Sequence, residues 1–565
     1  MVYTGKFEAP GPGSWEREST HLLHPMSRWL ADLFPGALMR GFKAMAAHYG
    51  LLLDHVEMAV VEGFLYASPR VVGAPPSAKG PPPKPIFKLL TWLHPEIRRR
   101  VRRSREALAN KIWRDELKEW DERLKPALAA TQARLLASDV AALPDGALAA
   151  HLEQCRRALD DSVVLHHRLT GCSMVPMGDY LIAAAEWTGL PEADLIAPFR
   201  GASPVSAGAT AEIDALVAAI RADAEAEALV REGGVDAAGV LRDLRARPGA
   251  LGEAARAYLD LVGYRMVTGM DVADRYALEM PDVLVRTIRS ALSGEHRRED
   301  GDAALAKVRD AVPAGRRAAF EELLAEALLL FRVRDERCLL NDARTTGIVR
   351  RALLEAGGRL AARSRLADPT HVVDLRHDEL LAALRGAGCR GPSKEEVAAY
   401  VAYRTSKTIH DAPERLGPPP APPPPPEWLP PEAARVTRSV GAVLGAMFET
   451  RALDGTELPS EVVRGLPVGG GRYEGTARLV LTPADFARIQ KGDVLVARAT
   501  APSYNTLLPL IGALVTDRGG LLSHPAIVAR EVGIPGVVGC VDATARIKDG
   551  ARVRVDGTAG EVEVL

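Results

Sequence analysis

Residues 516–539 read TDRGGLLSHPAIVAREVGIPGVVG, and this pattern decides the fold of the C-terminal part of the chain. A β-type run, GALVT (512–516), leads into it. Gly519 and Gly520 permit backbone conformations closed to other residues and let a ligand approach the main chain. Ser523 or His524 is the expected helix N-cap, with Pro525 at the first helical position or one beyond. The helix continues through 526–532, and Gly533 followed by Pro535 ends it. His524 then falls at the positive end of a helix dipole, beside backbone N–H groups that the helix itself cannot satisfy, which is a place for an anion. A neutral imidazole is a good nucleophile near pH 7, because its unperturbed pKa is about 6.5. On these residues alone two readings stand: a histidine that takes up a phosphoryl group, or one that only caps a helix.

Working outward, 466–565 carry further short β-type runs: ARLVL (477–481), DVLVA (493–497), GVVG (536–539), ARVRV (551–555) and EVEVL (561–565). Gly, Asp and Pro separate them. Helical segments fit around 483–490, 502–511 and 525–532. Strands alternating with short helices indicate a compact α/β domain.

Upstream, 417–431 read GPPPAPPPPPEWLPP, ten prolines in fifteen positions. That density excludes helix and sheet and favours polyproline II. It reads as a semi-rigid spacer of about 3.1 Å per residue, on the order of 45 Å in all. Before it the chain reads as mostly α-helix, with Leu and Ala at helical spacing and interleaved Arg and Glu over 102–160 and 302–365. A second proline-rich break lies at 75–85. The expected division is a large mostly helical region at 1–416, a linker at 417–431, a helical arm at 432–465 and the α/β domain at 466–565.

Composition sets limits on function. The 565 residues allow about three to five domains. Seventy-two basic and 73 acidic residues leave a net charge of −1, which argues against a general binder of nucleic acid or anionic membranes. Arg outnumbers Lys 59 to 13, which reads as a codon bias and not as a binding surface. Cys155, Cys172, Cys338, Cys389 and Cys540 form no Cys-x-x-Cys pair, so neither a zinc site nor a disulfide framework is expected. With no apolar leader and no run of about 18 apolar residues, the expected location is the cytoplasm.

The 516–539 stretch resembles the phosphohistidine swivelling domain of the PEP-utilising enzymes, among them phosphoenolpyruvate synthase, rifampin phosphotransferase and phenylphosphate synthase. The family pattern is roughly G-G-x-x-[ST]-H-x-A-I-x-A-R-E-x-G-I-P. Gly519, Gly520, Ser523, His524, Ala526, Ile527, Ala529, Arg530, Glu531, Gly533, Ile534 and Pro535 match it. The resemblance implies that His524 becomes phosphorylated and that its domain rotates between an ATP site and an acceptor site. Gly519, Gly520, Ser523 and Arg530 would support the turn and the phosphate, with Arg530 placed to hold the domain. One departure is visible: Thr500-Ala501-Pro502 stands where the family often has Thr-Asp-Pro.

The preceding residues resemble the helical acceptor region of rifampin phosphotransferase more weakly, through Trp15, Glu18, His21 and Pro25, then Gly263-Tyr264-Arg265, FRVRDERC (331–338) and VVDLRHDEL (372–380), the last like a strand-and-helix element. His21, Arg265 and Arg334 are the acceptor-site candidates, each weighed against capping or surface ion pairing. The resemblance reaches no ATP-grasp module and no PEP/pyruvate barrel within these residues, and no Gly-x-x-x-x-Gly-Lys-[Ser/Thr] occurs. It implies a phosphotransferase component whose ATP and Mg²⁺ sit on a separate ATP-grasp subunit, with a small-molecule acceptor and no metal on this chain. The competing expectations are a non-catalytic scaffold that kept the swivelling fold, and a divergent phosphoenolpyruvate synthase-like subunit.

Overall fold

The computed structural model describes residues 3, 5–19, 22–203, 210–232, 236–293, 302–386, 391–448, 462–481, 483–500, 504 and 507–565. The chain forms two compact units: Met1–Val175 with Met270–Ala273 and Leu340–Val440, and Pro176–Gly269 with Asp274–Leu339 and Gly441–Leu565.

The first unit is mostly helical and carries a small antiparallel sheet of β1 (Trp15–Arg17), β2 (Leu53–Val61), β3 (Phe64–Val71) and β4 (Arg415–Leu416), in the order β2-β3-β1-β4. Strands β2 and β3 make a two-residue hairpin through Glu62 and Gly63, both at positive φ (49° and 81°). A tight hairpin that matches strand twist needs that pair of conformations. The helix Phe34–Tyr49 lies between β2 and the helix Asp145–Arg168. Gly41 permits the close helix contact, because a Cβ there would meet His167 Cβ and the Val164 carbonyl at 2.6 Å. Residues 372–380 are not strand and helix: a 3-10 turn, Pro369–Asp374, leads into the helix His377–Leu384. Tertiary ion pairs fix this turn. Asp374, fully buried, pairs with Arg404 at 2.8 Å.

Both ends of the proline run are packed in this unit. Leu416 belongs to β4, and Trp428 lies 5.8 Å from the Phe87 ring. Leu429 joins a core cluster with Leu52, Phe87 and Ile97. The helix Pro431–Phe448 follows; the rest of the expected arm, from 449 to 461, lies outside the described residues.

The second unit contains an eight-stranded sheet of β5 (Val462–Arg464), β6 (Leu466–Val468), β7 (Arg472–Val480), β8 (Asp493–Ala497), β9 (Ile511–Thr516), β10 (Gly536–Val538), β11 (Arg552–Asp556) and β12 (Glu561–Val564). Its order is β5-β12-β11-β7-β8-β9-β10-β6. The central β7, β8, β9 and β10 run parallel and the flanks antiparallel. All five residues of β8 are buried, as a central parallel strand covered on both faces requires. Val494, Val496, Ala513, Val515, Val537 and Val555 form the centre of the core.

The same unit holds the helices Gly249–Val262, Pro281–Leu292 and Arg317–Glu336. The helix Pro281–Leu292 packs on the short turns Pro483–Arg488 and Leu508–Leu510 at the sheet. Arg286 reaches from it to the carbonyls of Ala487 and Ile489.

Candidate functional site

The C-terminal ends of the parallel strands β8 and β9 build the site. After β8 the chain reaches Thr500; after β9 it makes the Gly519-Gly520 turn and enters the helix His524–Val532. The two exits are sewn together: Asp517 N–H donates to the Ala497 carbonyl at 3.1 Å, and Arg518 N–H to that of Arg498 at 2.7 Å. Ligand sites of open α/β sheets lie in this position, outside the carboxyl ends of the strands.

Gly519 adopts φ +117°, a conformation that side chains rarely take, and a Cβ there would stand 2.6 Å from Ser523 Oγ. Gly520 serves the turn in another way. Its N–H donates to the Met447 carbonyl at 3.0 Å, so it is engaged by the protein and not held open for a phosphate. Ser523 is the N-cap residue, with φ −67° and ψ 160°, yet its side chain makes no capping bond. The buried Ser523 hydroxyl has no hydrogen-bond partner among the described residues. Ser523 thus does not cap the first turn of its helix, whose backbone N–H groups are where an anion is favoured. At the other end Gly533 closes the helix in the left-handed conformation, with Ile534 N–H returning to the Ala529 carbonyl at 3.0 Å, a Schellman ending.

His524 is half-buried, and its Nδ1 lies 2.9 Å from Thr500 Oγ1. A hydroxyl can donate or accept, so Thr500 suits either tautomer. The contact fixes the ring plane, and the tautomer that donates Nδ1–H to Thr500 Oγ1 is the one that places the ring lone pair on Nε2. Thr500 was the residue that sequence reasoning missed. The signal lies in Thr500-Ala501-Pro502, which stands out in sequence only by its missing Asp; 501 and 502 lie outside the described residues.

Arg530 does not point to the histidine. It is buried, and Nη2 donates to the Leu521 carbonyl, clamping the glycine turn from behind. Burial, with the like charges of Arg334 and Arg200, pulls its pKa down to about 9. The next residue, Glu531, accepts from Gly201 N–H with both oxygens, at 3.0 and 2.9 Å. Burial and the nearby Asp335 push its pKa up to about 7, against Arg530 and Arg200. The helix that begins at His524 is thus tied at its far end to the turn after Ala197–Phe199.

The acceptor candidates separate. Arg334 sits in the helix Arg317–Glu336, half-buried, and is close enough to Arg530 for their charges to interact. Burial lowers its pKa. Arg265 is buried beside Tyr258 and belongs to the interior. His21 lies outside the described residues. Among the described residues no three His, Cys, Asp or Glu side chains gather as a metal site, and no helix is long and apolar enough to cross a membrane.

Residues 489–560 match the family described as PEP-utilising enzyme, mobile domain. Residues 172–350 match the rifampicin phosphotransferase fourth domain. A rifampicin phosphotransferase of Streptomyces sp is 32% identical over 348 residues, covering 59% of this chain and 37% of the relative. One of Bacillus cereus is 44% identical over 131 residues, 23% of this chain and 14% of the relative. A phosphoenolpyruvate synthase of Aeropyrum pernix is 47% identical over 102 residues, 18% and 12%. The chain spans at most 37% of the length of these relatives. Residues 489–560 are thus similar to the mobile domain of the PEP-utilising enzymes, and residues 172–350 to the fourth domain of rifampicin phosphotransferase.

Proposed function

We propose that this chain is a phosphotransferase component in which His524 carries a phosphoryl group from ATP on a separate ATP-grasp subunit to a small-molecule acceptor in the helical region. The observation that carries the reading is the 2.9 Å contact between Thr500 Oγ1 and His524 Nδ1 at a helix start that Ser523 does not cap. In the tautomer whose Nδ1–H donates to the Thr500 hydroxyl, the Nε2 lone pair attacks phosphorus and the P–O bond to the nucleotide breaks. The helix N-terminus then faces the charge that has moved onto the ring. In the second half-reaction an acceptor oxygen displaces Nε2. Positioning and charge stabilisation supply most of the catalysis of such a transfer.

Residues 466–565 are the moving carrier in this scheme. Mg²⁺ and nucleotide belong to the partner in this scheme, and Arg334 is an acceptor-side candidate. The names of the relatives support phosphotransfer and a small-molecule acceptor.

The test is labelling. The full chain, incubated with magnesium ATP and a candidate ATP-grasp subunit, should gain acid-labile, base-stable phosphate, and the His524→Ala variant should gain none. Equal labelling of the variant would remove His524 from the reaction.

A further inference from the structure

Away from His524, in the first unit, the helix Pro95–Ala109 reads PEIRRRVRRSREALA. The chain as a whole is nearly neutral, but this helix has six arginines between 98 and 105 and only Glu96 and Glu106 beside them. Arg100 turns inward, 2% exposed, and is consumed by Glu96, Asp54 and the Leu51 carbonyl. Arg99, Arg102 and Arg103, with Ala44, Ala47 and His48 of the helix Phe34–Tyr49, wall a cleft of about 560 Å³. Arg99 is held by Glu96 through two bonds of 2.7 Å, which leaves Arg102 and Arg103 as two cations sharing one carboxylate, Glu106, in a concave space.

Two of these side chains are arranged for a ligand. Arg103 is held along one edge: Nε donates to the His48 carbonyl at 2.9 Å and Nη2 contacts His48 Nδ1 at 3.0 Å. Guanidinium only donates, so Nδ1 must accept and the ring proton sits on Nε2, on the side where Glu116 Oε1 lies 3.5 Å away. Burial and the cations Arg103 and Arg168 pull the His48 pKa down to about 4, so the ring stays neutral and cannot repel the arginine. Arg103 Nη1 makes a longer contact to Glu106 at 3.3 Å. That leaves one N–H on each terminal nitrogen of a fixed fork. Arg102 has only Glu106, at 3.9 Å, and its side chain is 72% exposed, beyond hydrogen-bond range. A surface ladder of ion pairs would match its charges; this cleft has a surplus of cations and one preorganised fork.

We propose that the cleft between the helices Phe34–Tyr49 and Pro95–Ala109 binds a phosphate-type oxyanion through Arg102 and Arg103, in a site separate from the phosphohistidine. Planar forks read tetrahedral oxyanions through paired N–H bonds. The phosphate can come from a soluble compound or from a lipid headgroup. The preceding helix, Lys84–Leu93, exposes Ile86, Leu89, Trp92 and Leu93, which would suit the lipid source.

The experiment titrates the full chain with inorganic pyrophosphate by calorimetry, and separately with phosphatidylcholine vesicles with and without phosphatidic acid. Binding to pyrophosphate that weakens as salt rises, and at least about tenfold in Arg102→Glu, supports the soluble source. Binding to phosphatidic acid vesicles alone, lost in the same variant, supports the headgroup. Arg102→Glu alters an exposed side chain and should unfold like the parent; Arg103→Gln, whose fork also holds His48, is read beside its own unfolding curve. Absence of binding to both probes overturns the proposal, and so does undiminished binding by both variants.

Discussion

Thr500→Val removes the hydroxyl that engages His524 Nδ1 and little else, since valine has nearly the same shape. Thr500 is buried, 7% exposed, so water does not readily replace the lost partner. An ordinary hydrogen bond contributes about 0.5–1.5 kcal/mol net, which corresponds to roughly 2- to 13-fold in rate if the bond orients the ring for attack. The assay is chemical phosphorylation of the full chain by phosphoramidate, which needs no partner subunit. It is followed by phosphohistidine yield and by nitrogen NMR of the His524 ring. The parent should form Nε2-phosphohistidine. The variant should react several-fold more slowly, with a mixed tautomer population and a nearly unchanged unfolding midpoint. An unchanged rate and tautomer ratio in the variant would refute the positioning role of Thr500, and phosphate on Nδ1 in the parent would refute the assignment of the reacting nitrogen.

Gly519→Ala must place a Cβ at φ +117°, 2.6 Å from Ser523 Oγ; thermal unfolding should show a loss of about 1–3 kcal/mol, and an unchanged midpoint would mean the turn is not strained. Arg530→Ala removes the charged donor to the Leu521 carbonyl, which should cost about 1.5–3 kcal/mol by denaturant titration; wild-type stability would show that the clamp is idle. Glu531 has a pKa raised from 4.5 to about 7, so its contribution to stability is complete below pH 4.5 and is lost as pH rises through about 7. Glu531→Gln should flatten stability between pH 5 and 8; a variant with the parent's pH slope would place that slope elsewhere.

What could be read from sequence follows from how local each feature is. Strand β8 was legible residue for residue, because the apolar run Val494–Ala497 after Asp493 is bounded by Lys491-Gly492 and Arg498. The helix start at His524 was legible because Ser, His and Pro carry local backbone preferences that tertiary contacts did not override. The hairpin β2–β3 was not. Its turn is Glu62-Gly63, with glutamate at a positive φ that its own preference disfavours, so Gly63 alone marks a turn between the two strands. Strands β5 and β6 have three residues each, too short for alternation to show.

At the site, His524 and its glycines stood in one contiguous motif. Thr500 arrives from a neighbouring strand 24 positions away, and the contact of Glu531 with Gly201 joins residues 330 positions apart. No periodicity reports such contacts. The Arg103 fork shows the same limit: overall Arg abundance concealed one helix whose cations outnumber their partners.

The most direct test of the central claim is mass-spectrometric mapping of phosphate on the full chain after incubation with magnesium ATP and an ATP-grasp subunit, at alkaline pH to preserve phosphohistidine. The phosphate should be found on the peptide containing His524 and on no other histidine, and it should disappear when the acceptor is added. Phosphate on a different residue, or a His524 peptide that stays unmodified while the acceptor is phosphorylated, would contradict it.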